Sequence, residues 1–375
     1  MTTTDVEPSA VEALAGRIFS TGVGAAELCN AYLGIHLGLY RSLADSPATS
    51  AALAMRTGYD ERYLREWLTA QAVSGLVTAA GPDPASTEFA LAEGTYEVLV
   101  DETSPAYLGG LADVVAAAGR VLPLLADAYR TGAGVPYAAY GPDGVSGQSA
   151  LNRPAFANSL VAEWLPQLPD VQARLQDEAE PARVADLGCG TGWAGIELAK
   201  AFPHLRVDGM DSDEASVAIG RQHAADHGVA DRVDLEVVDL ADKSADWSPR
   251  YDLVLFVECV HDFPRPADAL RHARAALRPG GTVLVVDERA AETFTAPGDE
   301  IERFFAAASA IWCLPQGRVG PDPEPVGTLI RPAAMRDLAR RAGYADTVVL
   351  PIEHPVWRFY RLVPPVPAPK TSPGR

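Results

Sequence analysis

The chain has 375 residues, 48% of them apolar, and a formal net charge of −19. That length allows two domains. The only lysines are Lys200, Lys243 and Lys370, so the clustered positive charge that a nucleic-acid backbone requires is missing.

The N-terminus, MTTTDVEPSA, lacks a basic stretch leading into an apolar core, and no apolar run reaches the ~18 residues of a membrane span. Neither a signal peptide nor a membrane partner is expected. Residues 11–78 read as helices, with apolar residues at helical spacing in IFSTGVGAAELCNAYLGIHLGLYRSL and a break at ADSPATS. SAALAMRTG and YDERYLREWLTAQAVSGLV predict two short helices joined at Gly58, and VTAAGPDPASTEFALAE predicts a hairpin with a Gly/Pro-rich tip. Helix, turn, helix and hairpin together resemble a winged helix. A recognition helix should be basic, yet residues 1–150 hold 7 Arg, no Lys and 17 Asp/Glu, a net of −10. A dimerisation role for residues 1–103 is therefore expected ahead of DNA binding.

Residues 104–131 predict one or two helices, and GAGVPYAAYGPDGVSGQS predicts a long loop whose Tyr137 and Tyr140 are candidates for a substrate pocket. Two helices follow, from LNRPAFANSLVAEWL to PDVQARLQ, with Trp164 a further pocket candidate. Residues 104–178 are read as a linker that shapes the pocket, 179–364 as the main domain, and the Pro-rich end, 365–375, as a disordered tail.

From Ala182 the pattern alternates. ARVADLG, RVDGMD, VDLEVVD, YDLVLFVE and TVLVVDE predict strands, mostly separated by helices, and ADTVVLPI and WRFYRLV predict two more. A βαβα series gives an α/β fold with a doubly wound parallel sheet and its ligand at the carboxyl ends of the strands. The first βα turn, DLGCGTG, carries Gly188, Gly190 and Gly192 around Cys189, with Asp186 before them. Glycines there permit a tight turn and a close-lying ligand. A carboxylate beside the turn disfavours the pyrophosphate of a dinucleotide and suits S-adenosylmethionine (SAM), which carries an ammonium and a sulfonium. Asp211, 19 residues past Gly192, is placed for ribose hydroxyls. Asp239, at the end of the third strand, is a candidate for the adenine amino group, and Ser212 and Leu240 are candidate adenosine contacts.

These elements, with LRPGGTVLVVDE, resemble in order and spacing the class I SAM-dependent methyltransferases, over about residues 180–363. The resemblance implies a seven-stranded Rossmann-like sheet ending in an antiparallel hairpin. The whole chain is similar to actinobacterial methyltransferases with an N-terminal winged-helix domain, on segments including VPYAAYGPDG, NRPAF, ECVHDFPRP, WCLPQG and VWRFYRL. Some of those relatives are described as regulators, so a winged-helix protein that senses SAM is the other reading, beside N- or C-methylation by proximity alone. HDF resembles the His-Asp-Trp motif of small-molecule O-methyltransferases, whose histidine is the general base. The resemblance makes His261 the base and Glu288, 27 residues on, the group that orients it. Phe263 replaces the motif's Trp, and GTLIRPAAM lacks the family's second glutamate. Asp262 is expected to start a helix or orient the ring, and Glu258 to approach the methionine part of SAM. Trp312 follows a helix expected to cover the site. No metal-ligand set emerges, and the scattered Cys29, Cys189, Cys259 and Cys313 fit reduced thiols in a cytoplasmic protein. The reading is a cytoplasmic, homodimeric methyltransferase of secondary metabolism that acts on a small hydroxylated or aromatic acceptor.

Overall fold

A computed structural model describes residues 9–240 and 246–365. Of the tail expected at 365–375, all but Pro365 lies outside the described residues. The chain divides into two compact units, residues 1–119 with 146–154, and residues 120–145 with 155–375.

The first unit begins with helix α1 (Ala10–His36), started by a capping box in which Ser9 and Glu12 satisfy each other's backbone N–H groups. Helices α2 (Leu39–Asp45), α3 (Ser50–Thr57) and α4 (Glu61–Val73) follow. Thr49 caps α3, and Gly58 ends it at a φ of 77° that favours glycine. Strands β1 (Val77–Ala79) and β2 (Phe89–Leu91) pair antiparallel as the wing. Leu39, Tyr40, Leu53, Leu68 and Phe89 form the buried core of this unit. Helix α5 (Thr95–Leu99) comes next, and α6 (Gly110–Thr131) runs on into the second unit.

The stretch expected as a loop is largely helical. Residues Tyr137–Tyr140 make one tight turn, and α7 (Gly141–Ala155) begins at once. Pro142 falls in its first turn, where the missing N–H costs nothing. A π-helical stretch, Phe156–Trp164, continues to α8 (Pro169–Leu175).

The remaining elements alternate. They are β3 (Arg183–Leu187), α9 (Trp193–Ala201), β4 (Arg206–Asp211), α10 (Glu214–Asp226), β5 (Val233–Val237), β6 (Tyr251–Val257), α11 (Pro266–Ala276) and β7 (Leu277–Glu288). Then come α12 (Glu300–Ala308), a π turn at Ser309–Cys313, α13 (Leu314–Gly317), α14 (Pro332–Ala342), β8 (Asp346–Val349) and β9 (Trp357–Val363). Among the described residues seven strands form one sheet in the order β5-β4-β3-β6-β7-β9-β8. The first five are parallel, and β9 enters antiparallel between β7 and β8.

The central strands are apolar on both faces, as a sheet covered on both sides requires. Val184, Leu253, Leu255 and Leu284 face one core with Leu198 and Val217. Their neighbours Ala185, Val254, Phe256, Val283 and Val285 face the other, with Leu270, Met335 and Leu338. The strand order runs outward in opposite directions from β3 and β6. Their carboxyl ends therefore splay their connections to opposite faces and leave a crevice, where ligands of such sheets bind.

Candidate functional site

The β3 turn lines this crevice with backbone. Gly188, Gly190 and Gly192 have φ of 75°, 51° and 80°, angles that side chains strongly disfavour. A Cβ on Gly188 would also meet Cys259 Cβ and Sγ at 2.8 Å, whereas one on Gly190 would meet nothing within 4 Å. The chain beside Gly190 thus borders open space. Cys189 is half-buried.

Acids surround this space. Asp186 is buried, its Oδ2 is shielded and without a hydrogen-bond partner, and burial with the nearby charge of Asp211 pushes its carboxyl up to about 7. Asp211 accepts from the Gly190 N–H at 2.8 Å and from the Asp213 N–H at 2.9 Å, and burial raises its carboxyl as well. Ser212 and Asp239 are exposed and Leu240 is buried. Asp239 lies two residues beyond the observed end of β5 at Val237 rather than closing that strand. An orphaned buried carboxylate oxygen facing an open glycine turn fits a cationic ligand and disfavours a pyrophosphate.

Across the crevice, β6 ends at Glu258. Its φ of 52° is rare outside glycine, and its Oε1 accepts a short hydrogen bond from Trp357 Nε1 on β9. The next turn brings in His261, which is 2% exposed. Its Nδ1 lies 2.9 Å from Asp287 Oδ1 and 2.9 Å from Glu288 Oε2, both at the end of β7. Its Nε2 lies 3.6 Å from Asp262 Oδ1. Burial alone would lower the histidine's affinity for a proton, but the charges of Glu288, Asp287 and Asp262 outweigh it and carry the pKa well above 6.5. Burial likewise opposes ionisation of Asp287, yet the His261 charge and hydrogen bonds from His261 and Glu288 hold its carboxyl below the ordinary value. Glu288 is driven well above its ordinary value, first by burial and then by the Asp287 charge. Asp287 is therefore favoured as the ionised partner of the ring, and Glu288 holds a proton more readily than an ordinary carboxyl.

Two family models match this chain. Residues 185–283 match a methyltransferase domain, and residues 28–100 match an Rv2258c-like winged HTH domain. The chain carries a methyltransferase domain behind a winged-helix domain.

The matched segment runs from within β3 through the first half of β7, and so holds the glycine turn, Asp211 and His261. The ubiquinone biosynthesis O-methyltransferase of Bordetella pertussis is 29% identical over 181 residues, 48% of this chain and 69% of that relative. Among solved structures, the mitomycin 7-O-methyltransferase MmcR aligns with a TM-score of 0.64 at 20% identity, covering 94% of this methyltransferase and 99% of MmcR. Human N-acetylserotonin methyltransferase in complex with SAM aligns with a TM-score of 0.68 at 17% identity, covering 97% and 100%. At these identities the structures bear on the fold.

The aromatic candidates separate. Tyr140 is fully buried; its ring lies 4.2 Å from that of Trp312 and its hydroxyl donates to the Ile311 carbonyl at 2.7 Å. It braces Trp312 rather than facing a ligand. Tyr137 is half-buried, 6.3 Å from Trp312 between ring centres, and is influenced by Asp211 and Asp262, so it lies at the crevice. Trp164 is in the sheet's core, fully buried against Phe156, Trp357 and Phe359. His223 and His272 stack on Trp193 and Trp247 respectively. Two further groups belong to the site. Asp287 is the adjacent carboxylate, and Cys313 approaches His261 and Asp262 with a thiol that burial pushes up to about 12. The π turn presents Trp312 and Cys313, successive residues, both buried.

Proposed function

We propose that this methyltransferase O-methylates a small hydroxylated or aromatic metabolite, with His261 as general base. The observation that carries the reading is the buried imidazole anchored through Nδ1 by a 2.9 Å hydrogen bond to Asp287, with Glu288 Oε2 beside it and Nε2 on its other side. Bound SAM supplies an electrophilic methyl group. Asp186, Gly188, Cys189, Gly190, Gly192, Asp211, Ser212, Asp239, Leu240 and Glu258 are the residues proposed to hold it. In this reading the cationic end of SAM meets Asp186, whose burial leaves an acceptor unused. Asp287 fixes the ring with its proton on Nδ1. The neutral Nε2 then takes the acceptor's hydroxyl proton as the oxygen reaches the methyl carbon. Asp262 adds charge that favours the imidazolium so formed, and Tyr137 and Trp312 wall the acceptor. The name of the sequence relative, an O-methyltransferase of ubiquinone biosynthesis, supports oxygen as the acceptor.

The same proposal makes the protein a cytoplasmic homodimer joined through residues 1–103, with 104–178 shaping the pocket. Helix α1 buries only Ala31 and Gly34, while Val11, Leu14, Ile18 and Phe19 are 53–78% exposed. A second copy is the occupant that would cover such a stripe. The four free cysteines fit a reducing compartment, and among the described residues no helix is long and apolar enough to cross a membrane.

The test is His261→Ala. SAM affinity by calorimetry stays near wild type, while turnover, read as S-adenosylhomocysteine released, falls by roughly 10²–10⁴. Unchanged turnover sinks the base role and leaves methylation by proximity. The winged-helix match favours a second reading, a SAM-sensing regulator. On α4, however, Arg62 and Arg65 pair with Glu66 and Glu61 of the same helix. Tight, salt-sensitive and sequence-specific DNA retardation would establish that alternative.

A further inference from the structure

The outward side of His261 gathers three different donors. A ring nitrogen of His261, a carboxylate oxygen of Asp262 and Cys313 Sγ all lie within 4.8 Å of one another, with Nε2 3.6 Å from Asp262 Oδ1. His261 and Cys313 are buried, at 2% and 6% exposure. Asp262 Oδ1 is shielded from solvent and lacks a hydrogen-bond partner, although it faces Nε2 at 3.6 Å. With the Nδ1 proton committed to the β7 carboxylates, loss of the second ring proton leaves Nε2 presenting a lone pair to that of Asp262 Oδ1, 3.6 Å away. A cation between them satisfies both.

We propose that His261, Asp262 and Cys313 form a site for a thiophilic divalent cation, Zn²⁺ in particular, and that its occupation blocks methyl transfer. Zinc bonds of about 2.0–2.3 Å at tetrahedral angles hold nitrogen, oxygen and sulfur ligands roughly 3.3–3.7 Å apart. The 3.6 Å between Nε2 and Oδ1 already matches. One nitrogen, one thiolate and one carboxylate suit Zn²⁺ and not Mg²⁺ or Ca²⁺, which take oxygen. Three protein donors leave a fourth position for water. On binding, the Cys313 S–H bond breaks and a metal–sulfur bond forms, with the proton leaving to solvent. An imidazolium likewise sheds its Nε2 proton before that nitrogen coordinates. No electrons are exchanged.

Two consequences follow from where the donors sit. The metal occupies the lone pair proposed to accept the substrate's proton. It also ties the turn after β6, Val260–Asp262, to the π turn Ser309–Cys313, which are separate segments of the second unit. Metal binding itself rests only on the three donors; inhibition rests on the base reading of His261.

Cobalt(II) is the probe, since thiolate coordination to it produces a sulfur-to-metal charge-transfer absorption. The full-length protein, reduced with a phosphine, is titrated with CoCl₂. The expected result is one equivalent bound with that absorption, displaced by Zn²⁺ and removed by a chelator. Cys313→Ser and His261→Gln abolish the band, and Asp262→Asn weakens binding at least tenfold. Cys259→Ser and Cys29→Ser retain it. A missing band, or one that survives in Cys313→Ser, overturns the site, and circular dichroism of each variant establishes that it is folded. Zn²⁺ should then inhibit turnover by wild type, reversibly, and not by Cys313→Ser. If cobalt binds as described but His261→Ala leaves turnover intact, the metal site stands and the base reading falls.

Discussion

Replacing Asp287 by Asn removes the ionised partner of His261 and keeps the shape of the side chain. The bond at stake is 2.9 Å long and fully buried. A hydrogen bond to a charged group contributes about 1.5–3 kcal/mol. Since 1.36 kcal/mol corresponds to one pH unit, the ring's pKa should fall by about one to two units. The wild-type ring sits well above 6.5, and the catalytic base is the neutral ring. Wild-type turnover should therefore climb with pH beyond 6.5, and in Asp287→Asn that rise should come about one to two pH units earlier. Its plateau should be lower, by up to roughly 100-fold, because an amide no longer fixes the Nδ1 proton. Asp287 is held below its ordinary value and Glu288 above it, so Glu288→Gln should lower the ring's pKa by less than Asp287→Asn does. Imidazole ¹⁵N resonances of His261, followed against pH in the free protein, report this without any acceptor, and thermal melts establish that both variants are folded. If Glu288→Gln lowers the ring's pKa as much as Asp287→Asn, the assignment of charge to Asp287 is wrong.

Other expectations are simpler. Asp186 has a carboxyl raised to about 7, so its ionisation costs stability that begins to be lost above its unfolded value near 4 and is fully lost above about pH 7. Asp186→Asn should thus raise the melting temperature of the ligand-free protein at pH 8, by about 4 kcal/mol of stability at most, and weaken SAM binding measured by calorimetry. A higher melting temperature with undiminished affinity would remove Asp186 from the cofactor site. Gly34→Ala places a methyl 2.3 Å from Tyr40 Cε2 and 2.5 Å from Trp67 Cζ2. It should destabilise the first unit by about 1–3 kcal/mol, read from urea unfolding monitored by tryptophan fluorescence. An unchanged midpoint would contradict the packing described there.

The βα series was legible because buried parallel strands are continuous apolar runs and a glycine turn opens the first helix. The identity of His261's ionised partner was not. Alternation along a strand sends neighbouring side chains to opposite faces, which singles out one of Asp287 and Glu288 for the histidine. Here β7 ends at this point, and both reach Nδ1 from the strand's last two residues. Cys313 was hidden for another reason. Helical spacing buries successive residues anyway, as Trp67 and Leu68 in α4 do, so Trp312 and Cys313 read as ordinary core packing. Trp164 misled because an aromatic near a pocket segment and an aromatic in a core have the same sequence signature. Only its contacts with Trp357 and Phe359 separate them.

The position of β9 bears on how the chain is made. Residues Trp357–Val363 fill an inner slot of the sheet although they come last in chain order among its strands. Until they arrive, β7 exposes an unpaired edge that carries Val283 and Val285, a template for pairing with other chains. Glu258 also waits for the indole of Trp357. The crevice is therefore complete only once residues 357–363 have been made, and a product truncated before residue 357 would be inactive and prone to aggregate.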